Sequence, residues 1–294
     1  MVKISFLGVP TKLGANKPGT ENGPKYIRSN VKMTDLKLKG TSVFNGTDIS
    51  VDNKLENPLI ANAKNLNKII ALSRRTSKRV KAILDSDTFP ISFGGDHSAC
   101  IGTILGDELK FGSDVGVVYL DAHADFNTPQ TTPSGNMHGM TLSVLSGLFK
   151  DSVKFDSYLD TKNILLVGVR SIDPGESLLL KENNVNVLPS SELISNGINP
   201  FMESLGMLSS RVNNIHISMD IDVLDPKYAP ATGTPEPNGL TPEMVKDIIR
   251  MIVMTRKLRS FEIMEVNKRF DKDKKTVKMV SEILVSLTEN LSQL

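Results

Sequence analysis

The stretch VGVVYLDAHADFNTP, residues 115–129, joins a strand pattern to a run of ionisable side chains. Its first six residues form a short, largely β-branched apolar segment, which is typical of a buried strand. Asp121, His123 and Asp125 then follow at every second position. An extended backbone points residues i, i+2 and i+4 to the same side. The pattern therefore predicts that three possible ligands converge where this strand ends.

Comparable apolar runs recur along the chain. They span residues 2–9, 89–95, 115–120, 163–169, 184–188, 214–221 and 259–266. Most are continuously apolar, as in strands that are covered on both faces. Apolar residues at helical spacing predict helices in 241–254 and 277–291, and Thr241 before Pro242 is a typical helix start. The α/β alternation predicts one domain over residues 1–294, a three-layer αβα sandwich with a mainly parallel central sheet.

Composition and charge restrict the class of protein. The 294 residues are 39% hydrophobic and 23% charged, and 35 Lys and Arg nearly balance 33 Asp and Glu, so we expect no nucleic-acid partner. Cys100 is the single cysteine, which favours a reducing, cytoplasmic compartment. The opening MVKISFLGVP is too short an apolar run for a signal peptide. No segment approaches the ~18 consecutive apolar residues of a membrane span, so we expect no membrane partner.

Ionisable residues gather after three predicted strands. In an open α/β sheet, sites form at the carboxyl ends of the strands. GGDHS follows one strand, DAHAD a second, and SMDIDVLDP closes a third. The six candidate ligands are His97, Asp121, His123, Asp125, Asp220 and Asp222. Two of the chain's four histidines lie here, and a third, His138, follows in SGNMHGM.

These six residues together predict a metal site. Carboxylates packed this closely repel one another, and a bound cation removes the conflict. Two imidazoles and four carboxylates exceed the needs of one ion, so the set favours two ions about 3.5–4 Å apart that share bridging carboxylates. An oxygen-rich set favours Mn²⁺ over Zn²⁺. A lone DxH or DxD is more often a turn or helix cap, and His216, deeper in its strand, is predicted to be a buried, hydrogen-bonded histidine.

The motifs carry a family resemblance over most of the chain. GGDHS, DAHADFNTP, SGNMHGM and SMDIDVLDP resemble the signatures of the arginase–agmatinase (ureohydrolase) family. LGVPTKLGANKPGTENGPKYIR, VGVRSIDPGE, TGTPEPNGL and EIMEVN are also similar. The resemblance implies an arginase-like fold, two Mn²⁺ per subunit, and a homo-trimer or homo-hexamer. It also implies hydrolysis of a guanidino compound.

The family pattern implies a role for each metal ligand. His97 would bind one manganese and His123 the other, while Asp121 and Asp220 would bridge the two ions. Asp125 would complete the His97 site and Asp222 the His123 site. A metal-bridging hydroxide would attack the guanidinium carbon of L-arginine, and urea and L-ornithine would leave.

The resemblance also implies residues at the two ends of the substrate. Asn127, Ser134 and Asn136 match positions that bind the α-carboxylate in arginases, and Asp173 matches the carboxylate that reads the α-amino group. Agmatine lacks the α-carboxylate, and agmatinases generally lack the SGNxHG loop, so the match points to L-arginine. The alternative for TPSGN is a turn-rich surface loop.

Three residues are implied in the chemistry itself. Glu265 matches the glutamate that holds the guanidinium, whereas its structural alternative is a surface glutamate at a strand end. His138 matches a histidine proposed as proton shuttle or general acid, and its near-neutral intrinsic pKa suits that task. Asp125 would pass a proton to the leaving amine.

Other functions remain open at this point. Agmatinase or another guanidino-compound ureohydrolase is the first alternative. A binuclear metallophosphatase would need a GNH[DE] motif and further histidines, and a metal-stabilised interaction protein would not be an enzyme. The chain has EVNK where EVNP is usual, HGMT where HGxP is frequent, Met219 where Phe is common, and TGTPEPNGL, which is closer to agmatinase-like branches. None of these departures removes a ligand.

Overall fold

The central sheet is parallel throughout and carries strands in an order far from their order in the chain. The computed structural model describes residues 2–36, 40–52 and 62–293. Within these ranges the strands are β1 Val2–Val9, β2 Thr41–Asn45, β3 Phe89–Gly94, β4 Val115–Leu120, β5 Ile164–Val169, β6 Asn186–Pro189, β7 Asn214–Asp220 and β8 Leu258–Met264. Their order is β2-β1-β3-β8-β7-β4-β5-β6. Every pairing between neighbours is parallel.

Helices cover both faces of this sheet. The described helices are α1 Gly23–Asn30, α2 Met33–Leu36, α3 Leu66–Asp85, α4 Cys100–Phe111, α5 Thr141–Leu145, α6 Pro174–Glu182, α7 Ser190–Asn196, α8 Asn199–Arg211, α9 Pro242–Met254 and α10 Lys275–Ser292. One hydrophobic core joins the sheet to α1, α2 and α7–α10. A second core joins it to α3–α6. No helix among the described ranges has the length and apolarity to cross a lipid bilayer.

The packing of strand β4 explains why its sequence is continuously apolar. Val118 and Leu120 pack into the first core, whereas Val117 and Tyr119 pack into the second. All six residues of the strand are buried. Since successive side chains point to opposite faces, both faces must be apolar in a strand that lies between two helical layers. The predicted three-layer αβα sandwich is confirmed.

Element boundaries follow the sequence patterns closely, with one strand missed. Thr241 begins α9 as predicted, because its Oγ1 accepts a hydrogen bond from the backbone N–H of Met244 at 3.2 Å. Strand β2 was not predicted from the sequence. It is a five-residue strand at the edge of the sheet, and its Phe44 side chain is 53% exposed. A short edge strand buries too few residues to produce a clear apolar run.

The strand order decides where the functional residues meet. Strands β3, β8, β7 and β4 are consecutive neighbours in the middle of the sheet. Their carboxyl ends therefore lie side by side, although they are far apart in sequence. The segments that follow them carry His97, Glu265, Asp222 and Asp121.

Candidate metal centre

His97 lies directly after β3 and faces three carboxylates. Its Nδ1 is 3.0 Å from Asp121 Oδ2, 3.2 Å from Asp220 Oδ2 and 3.4 Å from Asp125 Oδ2. Its other ring nitrogen, Nε2, is 3.0 Å from the hydroxyl oxygen of Ser218. The His97 side chain is fully buried. This environment supplies one nitrogen and several carboxylate oxygens to a single point.

His123 forms a second group beside the first. Its Nδ1 is 3.2 Å from Asp222 Oδ2 and 3.4 Å from Asp121 Oδ1. Asp121 therefore offers one oxygen to each histidine. His97, Asp121 and Asp220 form one set, and Asp121, His123 and Asp222 form another, with the ligand atoms of each set within 4.8 Å of one another. The structure thus brings the six predicted ligands together and gives Asp121 a central position, while Asp220 belongs to the His97 set.

Turns at the strand ends, and not a continued strand, make the ligands converge. Asp121 Oδ1 accepts a hydrogen bond from the backbone N–H of His123 at 2.6 Å. Asp220 Oδ1 accepts one from the backbone N–H of Asp222 at 2.8 Å. Each aspartate thereby closes a turn onto the residue two positions later, which is a local bond that aspartate favours. In Asp220 the other oxygen, Oδ2, faces His97, whereas in Asp121 the oxygen that forms the turn, Oδ1, also faces His123.

The electrostatics of the cluster favour a bound cation. Burial raises the pKa of Asp220 well above its ordinary range, and the charges of Asp222 and Asp121 raise it further. Burial and the charge of Asp121 also raise the pKa of Asp125 to about 8. Asp121 Oδ2 is buried and has no hydrogen-bond partner among the described residues. Four carboxylates, one of them with a buried oxygen that lacks a hydrogen-bond partner, and two imidazole nitrogens fit divalent metal ions, and the oxygen-rich donor set suits a hard ion.

A cavity of ≈ 160 Å³ opens beside this cluster. Among its lining residues are the predicted substrate and catalytic residues Asn127, Ser134, His138 and Asp173, together with His123, Asp125 and Asp220. Asn136 does not line the cavity. Its Oδ1 accepts a hydrogen bond from Lys64 Nζ at 3.1 Å, and its backbone N–H donates to Ser134 Oγ at 3.1 Å. Asn136 therefore helps to order the loop that carries Ser134.

Asp173 is fixed at the start of α6. Its Oδ2 accepts a hydrogen bond from Asn127 Nδ2 at 2.9 Å, so two predicted substrate residues contact each other. Glu176 reaches back to the backbone N–H of Asp173 at 3.3 Å and to that of Phe126 at 2.7 Å. Burial raises the pKa of Glu176 to about 7, although these backbone hydrogen bonds lower it. Glu176 lines the cavity and was not singled out from the sequence, but the Asp-Pro-x-Glu spacing is a capping-box signal that marks it.

Glu265 is not a surface residue, since its side chain is only 3% exposed. Its Oε1 accepts a hydrogen bond from the backbone N–H of His97 at 2.9 Å and lies 3.2 Å from His138 Nδ1. Burial alone would lower the pKa of His138, but the hydrogen bond to Glu265 and the charge of that carboxylate raise it to about 9. Glu265 therefore ties the cavity histidine to the loop of a metal ligand.

Asp125 and Glu265 share an uncommon backbone conformation. Their φ angles are 50° and 62°, in the left-handed region that residues other than glycine rarely adopt. Such conformations cost of order 1–3 kcal/mol and concentrate at functional sites. The surrounding structure holds both residues: Leu142 donates its backbone N–H to the carbonyl of Asp125 at 3.0 Å, and Glu265 donates its own to the carbonyl of Gly95 at 2.8 Å.

Two hydroxyl groups support the ligands and were missed by the sequence analysis. Tyr119 donates to Asp125 Oδ2 at 2.8 Å, and Thr234 donates to Asp222 Oδ2 at 3.2 Å. The Tyr119 ring also stacks on His97, with centroids 4.5 Å apart and planes 8° apart. A single hydroxyl inside an apolar strand was the available signal for Tyr119.

His216 lies away from the metal cluster, as predicted. It is 1% exposed, with Nδ1 2.9 Å from Asp107 Oδ2 and Nε2 3.0 Å from Glu262 Oε1. The prediction of a buried, hydrogen-bonded histidine is confirmed.

Known proteins similar to this chain form a consistent set. The model of the Arginase family matches residues 2–289. An arginase of Bacillus subtilis (strain 168) is 34% identical over 289 residues, which cover 97% of each chain. The structure of Entamoeba histolytica arginase in complex with L-ornithine aligns with a TM-score of 0.88 and 31% identity over 97% of this chain and 98% of that one. The native arginase of Bacillus caldovelox aligns with a TM-score of 0.90 and 30% identity over 98% of each chain.

Proposed function

Because this chain belongs to the arginase family, we propose that it hydrolyses L-arginine to L-ornithine and urea. The observation that supports the proposal is the cavity. At one end it adjoins the cluster of two histidines and four aspartates, and it is also lined by the hydrogen-bonded pair Asn127 and Asp173. The cluster suits the guanidinium end of a substrate, and the polar pair suits the amino-acid end. The related Entamoeba histolytica enzyme was crystallised with L-ornithine, which would be the product here.

Two manganese ions are the proposed cofactor. His97, Asp121, Asp125 and Asp220 would hold one ion, and His123, Asp222 and the shared Asp121 and Asp220 would hold the other. When bound, such a pair lowers the pKa of water and makes hydroxide available near neutral pH. The many oxygen donors support manganese over zinc, because a zinc site more often contains thiolates or a majority of imidazoles.

The guanidinium is positioned by a buried carboxylate. Both hydrogen bonds described for the Glu265 side chain use Oε1, and we propose that Oε2 accepts from the substrate. A guanidinium presents several N–H donors in a plane and pairs well with a carboxylate. Holding the substrate in this way fixes the carbon that is attacked and lowers the entropic part of the barrier.

Proton transfer is assigned to two residues that line the cavity. Asp125 would pass a proton to the leaving amine, since its carboxylate lies 3.4 Å from His97 Nδ1 and lines the cavity. His138 engages Glu265 through Nδ1, which leaves Nε2 to exchange protons with the cavity. We propose His138 as the shuttle between the site and solvent.

Substrate choice would be made at the far end of the cavity. Arginine and agmatine share the guanidinium and differ in the α-carboxylate. Ser134 and Asn127 would meet this carboxylate, with Asn136 ordering the loop, and Asp173 would read the amino group. A site with polar groups built for an absent partner loses about 1–3 kcal/mol for each group left unpaired. Two or three such losses imply a preference for arginine of about 10²–10⁴ in kcat/KM, allowing for water replacement.

Domain organisation, cellular location and assembly form a further part of the proposal. We propose one domain over residues 1–294, a cytoplasmic location and a homo-trimer or homo-hexamer. The single cysteine, Cys100, is buried and unpaired, in line with a reducing compartment. Membership of the arginase family is the support for the proposed homo-oligomer. The net charge of +2 supports a small-molecule partner over nucleic acid.

One assay tests the function. The purified protein is incubated with Mn²⁺, and urea release is measured with L-arginine, agmatine and other guanidino compounds at matched concentrations. We expect arginine to be the preferred substrate. Agmatine turnover equal to or above that of arginine would replace the arginase assignment with agmatinase. No turnover of any guanidino compound by manganese-loaded protein would support a metal-stabilised protein without this activity.

A further inference from the structure

Lys64 lies two residues before helix α3 and contacts the loop that carries Ser134. Its Nζ donates a hydrogen bond to the carbonyl oxygen of Ser134 at 2.7 Å and another to Asn136 Oδ1 at 3.1 Å. Its backbone N–H donates to the carbonyl oxygen of Gly135 at 3.0 Å. Lys64 is therefore bonded to three consecutive residues of this loop, and the function proposed above gives it no role.

The two segments also approach each other closely at the backbone. Gly135 has a φ of 70°, and a Cβ at this position would lie 3.2 Å from the Cα of Asn62. Asn62 Nδ2 donates a hydrogen bond to the carbonyl oxygen of Pro129 at 3.1 Å. Between Asn62 and Lys64, the Ala63 side chain is only 2% exposed and packs in the second core. Lys64 is thus attached to a packed part of the fold, and its position beside the loop is not set by its long side chain alone.

The Lys64 ammonium brings a positive charge close to the cavity. Its two described acceptors are a carbonyl oxygen and an amide oxygen, which are both uncharged. These partners therefore do not neutralise the charge. Ser134 lines the cavity, so the ammonium is one hydrogen bond away from a residue of the cavity wall.

We propose that Lys64 is a specificity-determining residue for arginine: it holds the Ser134–Asn136 segment at the cavity and attracts the α-carboxylate by its charge. This inference rests on the proposed function, in which Ser134 and Asn127 meet that carboxylate. Asp173 lines the same cavity and would bind the amino group, so each charged group of an amino acid would meet an opposite charge. Agmatine has no carboxylate, and the Lys64 charge offers it no attraction.

Two effects of different size follow from the position of Lys64. Its side chain is exposed, and the attraction between exposed charges is worth only about 1.5–5-fold in binding and is weakened by salt. The hydrogen bonds that hold the loop contribute about 2–10-fold each. We therefore expect that loss of the Lys64 ammonium weakens arginine binding by about 5–50-fold.

The experiment removes the charge in one variant and retains it in another. Lys64→Met removes the ammonium with little change in length, whereas Lys64→Arg keeps a charged donor. Urea release with L-arginine and agmatine is measured on manganese-loaded wild-type protein and on both variants. Lys64→Met should raise the KM for arginine about 5–50-fold, with little change in kcat or in the use of agmatine. Lys64→Arg should recover at least part of this loss.

A salt series and a control variant separate this role from a general effect on the fold. The KM for arginine should rise more steeply with ionic strength in the wild-type protein than in Lys64→Met, because salt screens an exposed charge. Lys81→Met is the matched control, since Lys81 lies on α3, its side chain is 41% exposed and its Nζ pairs with Asp85 at 2.7 Å. This variant should have wild-type kinetics. Melting temperatures of all variants show whether a kinetic change follows a loss of stability.

A binding measurement makes the test independent of turnover. Calorimetric titration compares L-ornithine with putrescine, which is the same diamine without the carboxylate. The wild-type protein should bind ornithine more tightly than putrescine. Lys64→Met should reduce this preference by about 5–50-fold.

Each outcome decides the inference. An unchanged preference for arginine in Lys64→Met would overturn it and leave the proposed function intact. Equal losses with arginine and agmatine, together with a lower melting temperature, would also overturn it, and so would a Lys64→Arg variant that is no better than Lys64→Met. If the wild-type protein hydrolyses no guanidino compound but Lys64→Met loses the preference for ornithine, the inference is upheld and the proposed function is refuted. A wild-type protein that favours neither arginine over agmatine nor ornithine over putrescine would overturn both.

Discussion

One oxygen of Glu265 connects two parts of the site: Oε1 lies 3.2 Å from His138 Nδ1 and accepts the backbone N–H of His97 at 2.9 Å. Replacing Glu265 would therefore disturb a metal ligand's loop as well as the cavity histidine. Replacing His138 removes only the cavity side of this arrangement. His138 is for this reason the cleaner position at which to separate proton transfer from metal binding.

The His138→Asn variant should keep both ions and lose turnover. General acid–base groups typically contribute about 10²–10⁴-fold to the rate, and an amide cannot exchange a proton in the same way. Elemental analysis checks the metal content, and steady-state urea release measures kcat. Wild-type turnover in this variant would remove His138 from the mechanism.

Replacing Asp121 should remove most of the metal from the predicted binuclear site. Its two oxygens lie near different histidines, Oδ2 at 3.0 Å from His97 and Oδ1 at 3.4 Å from His123. Asp121→Ala should therefore lose most of the bound metal, and we expect the same of Asp220→Ala.

Exhaustive chelation of the wild-type protein should abolish activity, and Mn²⁺ should restore it. Full occupancy in either variant would refute its bridging role, while one tightly held zinc without a manganese requirement would refute the choice of metal.

Asp173→Ala should weaken the use of arginine without affecting the metals. The change removes the carboxylate that is proposed to bind the amino group and leaves Asn127 Nδ2 without its acceptor. A loss of about 1–3 kcal/mol corresponds to roughly 10–100-fold in kcat/KM. Ser134→Ala is the companion variant, because agmatine retains the amine but lacks the carboxylate. It should narrow the preference for arginine over agmatine, and an unchanged preference would place carboxylate recognition elsewhere.

Glu108 should make stability depend on pH. Burial and the neighbouring charge of Asp107 raise its pKa from 4.5 to about 7. In the unfolded chain the group ionises above about pH 4.5, so the cost of folding grows from there to about pH 7 and then stays constant. Glu108→Gln removes this cost. Both proteins are compared without metal. The unfolding free energy of the variant minus that of the wild-type protein should increase by up to about 3 kcal/mol between pH 4.5 and 7.5. Urea unfolding at several pH values measures it, and a difference independent of pH would contradict the shifted titration.

The sequence was sufficient to locate the centre because strand ends are local features. Each motif follows an apolar run, and parallel strands bring their carboxyl ends to one edge of the sheet. The motif alone did not reveal the turn at Asp121, since an extended chain and a turn both place alternate side chains together. The hydrogen bond from the backbone N–H of His123 distinguishes the two, and it is visible only in the structure.

Other parts of the site depend on contacts between distant segments. Asn136 is predicted to be a substrate residue, and its hydrogen bonds to Lys64 and Ser134 could not be foreseen from the sequence. The pairing of His216 with Asp107 and Glu262 joins α4, β7 and β8, and no spacing in the chain signals it. The contacts of such residues can be assigned only when the packing of the sheet against its helices is known.

The predicted metal ligands and the predicted substrate residues lie on different parts of the fold, which affects how substrate specificity can change during evolution. The predicted metal ligands lie at or just after the ends of β3, β4 and β7 in the middle of the sheet, whereas Ser134 lies on a loop and Asp173 at a helix start. Mutations in those two segments can accumulate without moving the strands that deliver His97 and Asp121. Descendants of one ancestral gene could therefore acquire new substrates by changing a few loop codons while they inherit the same hydrolytic centre.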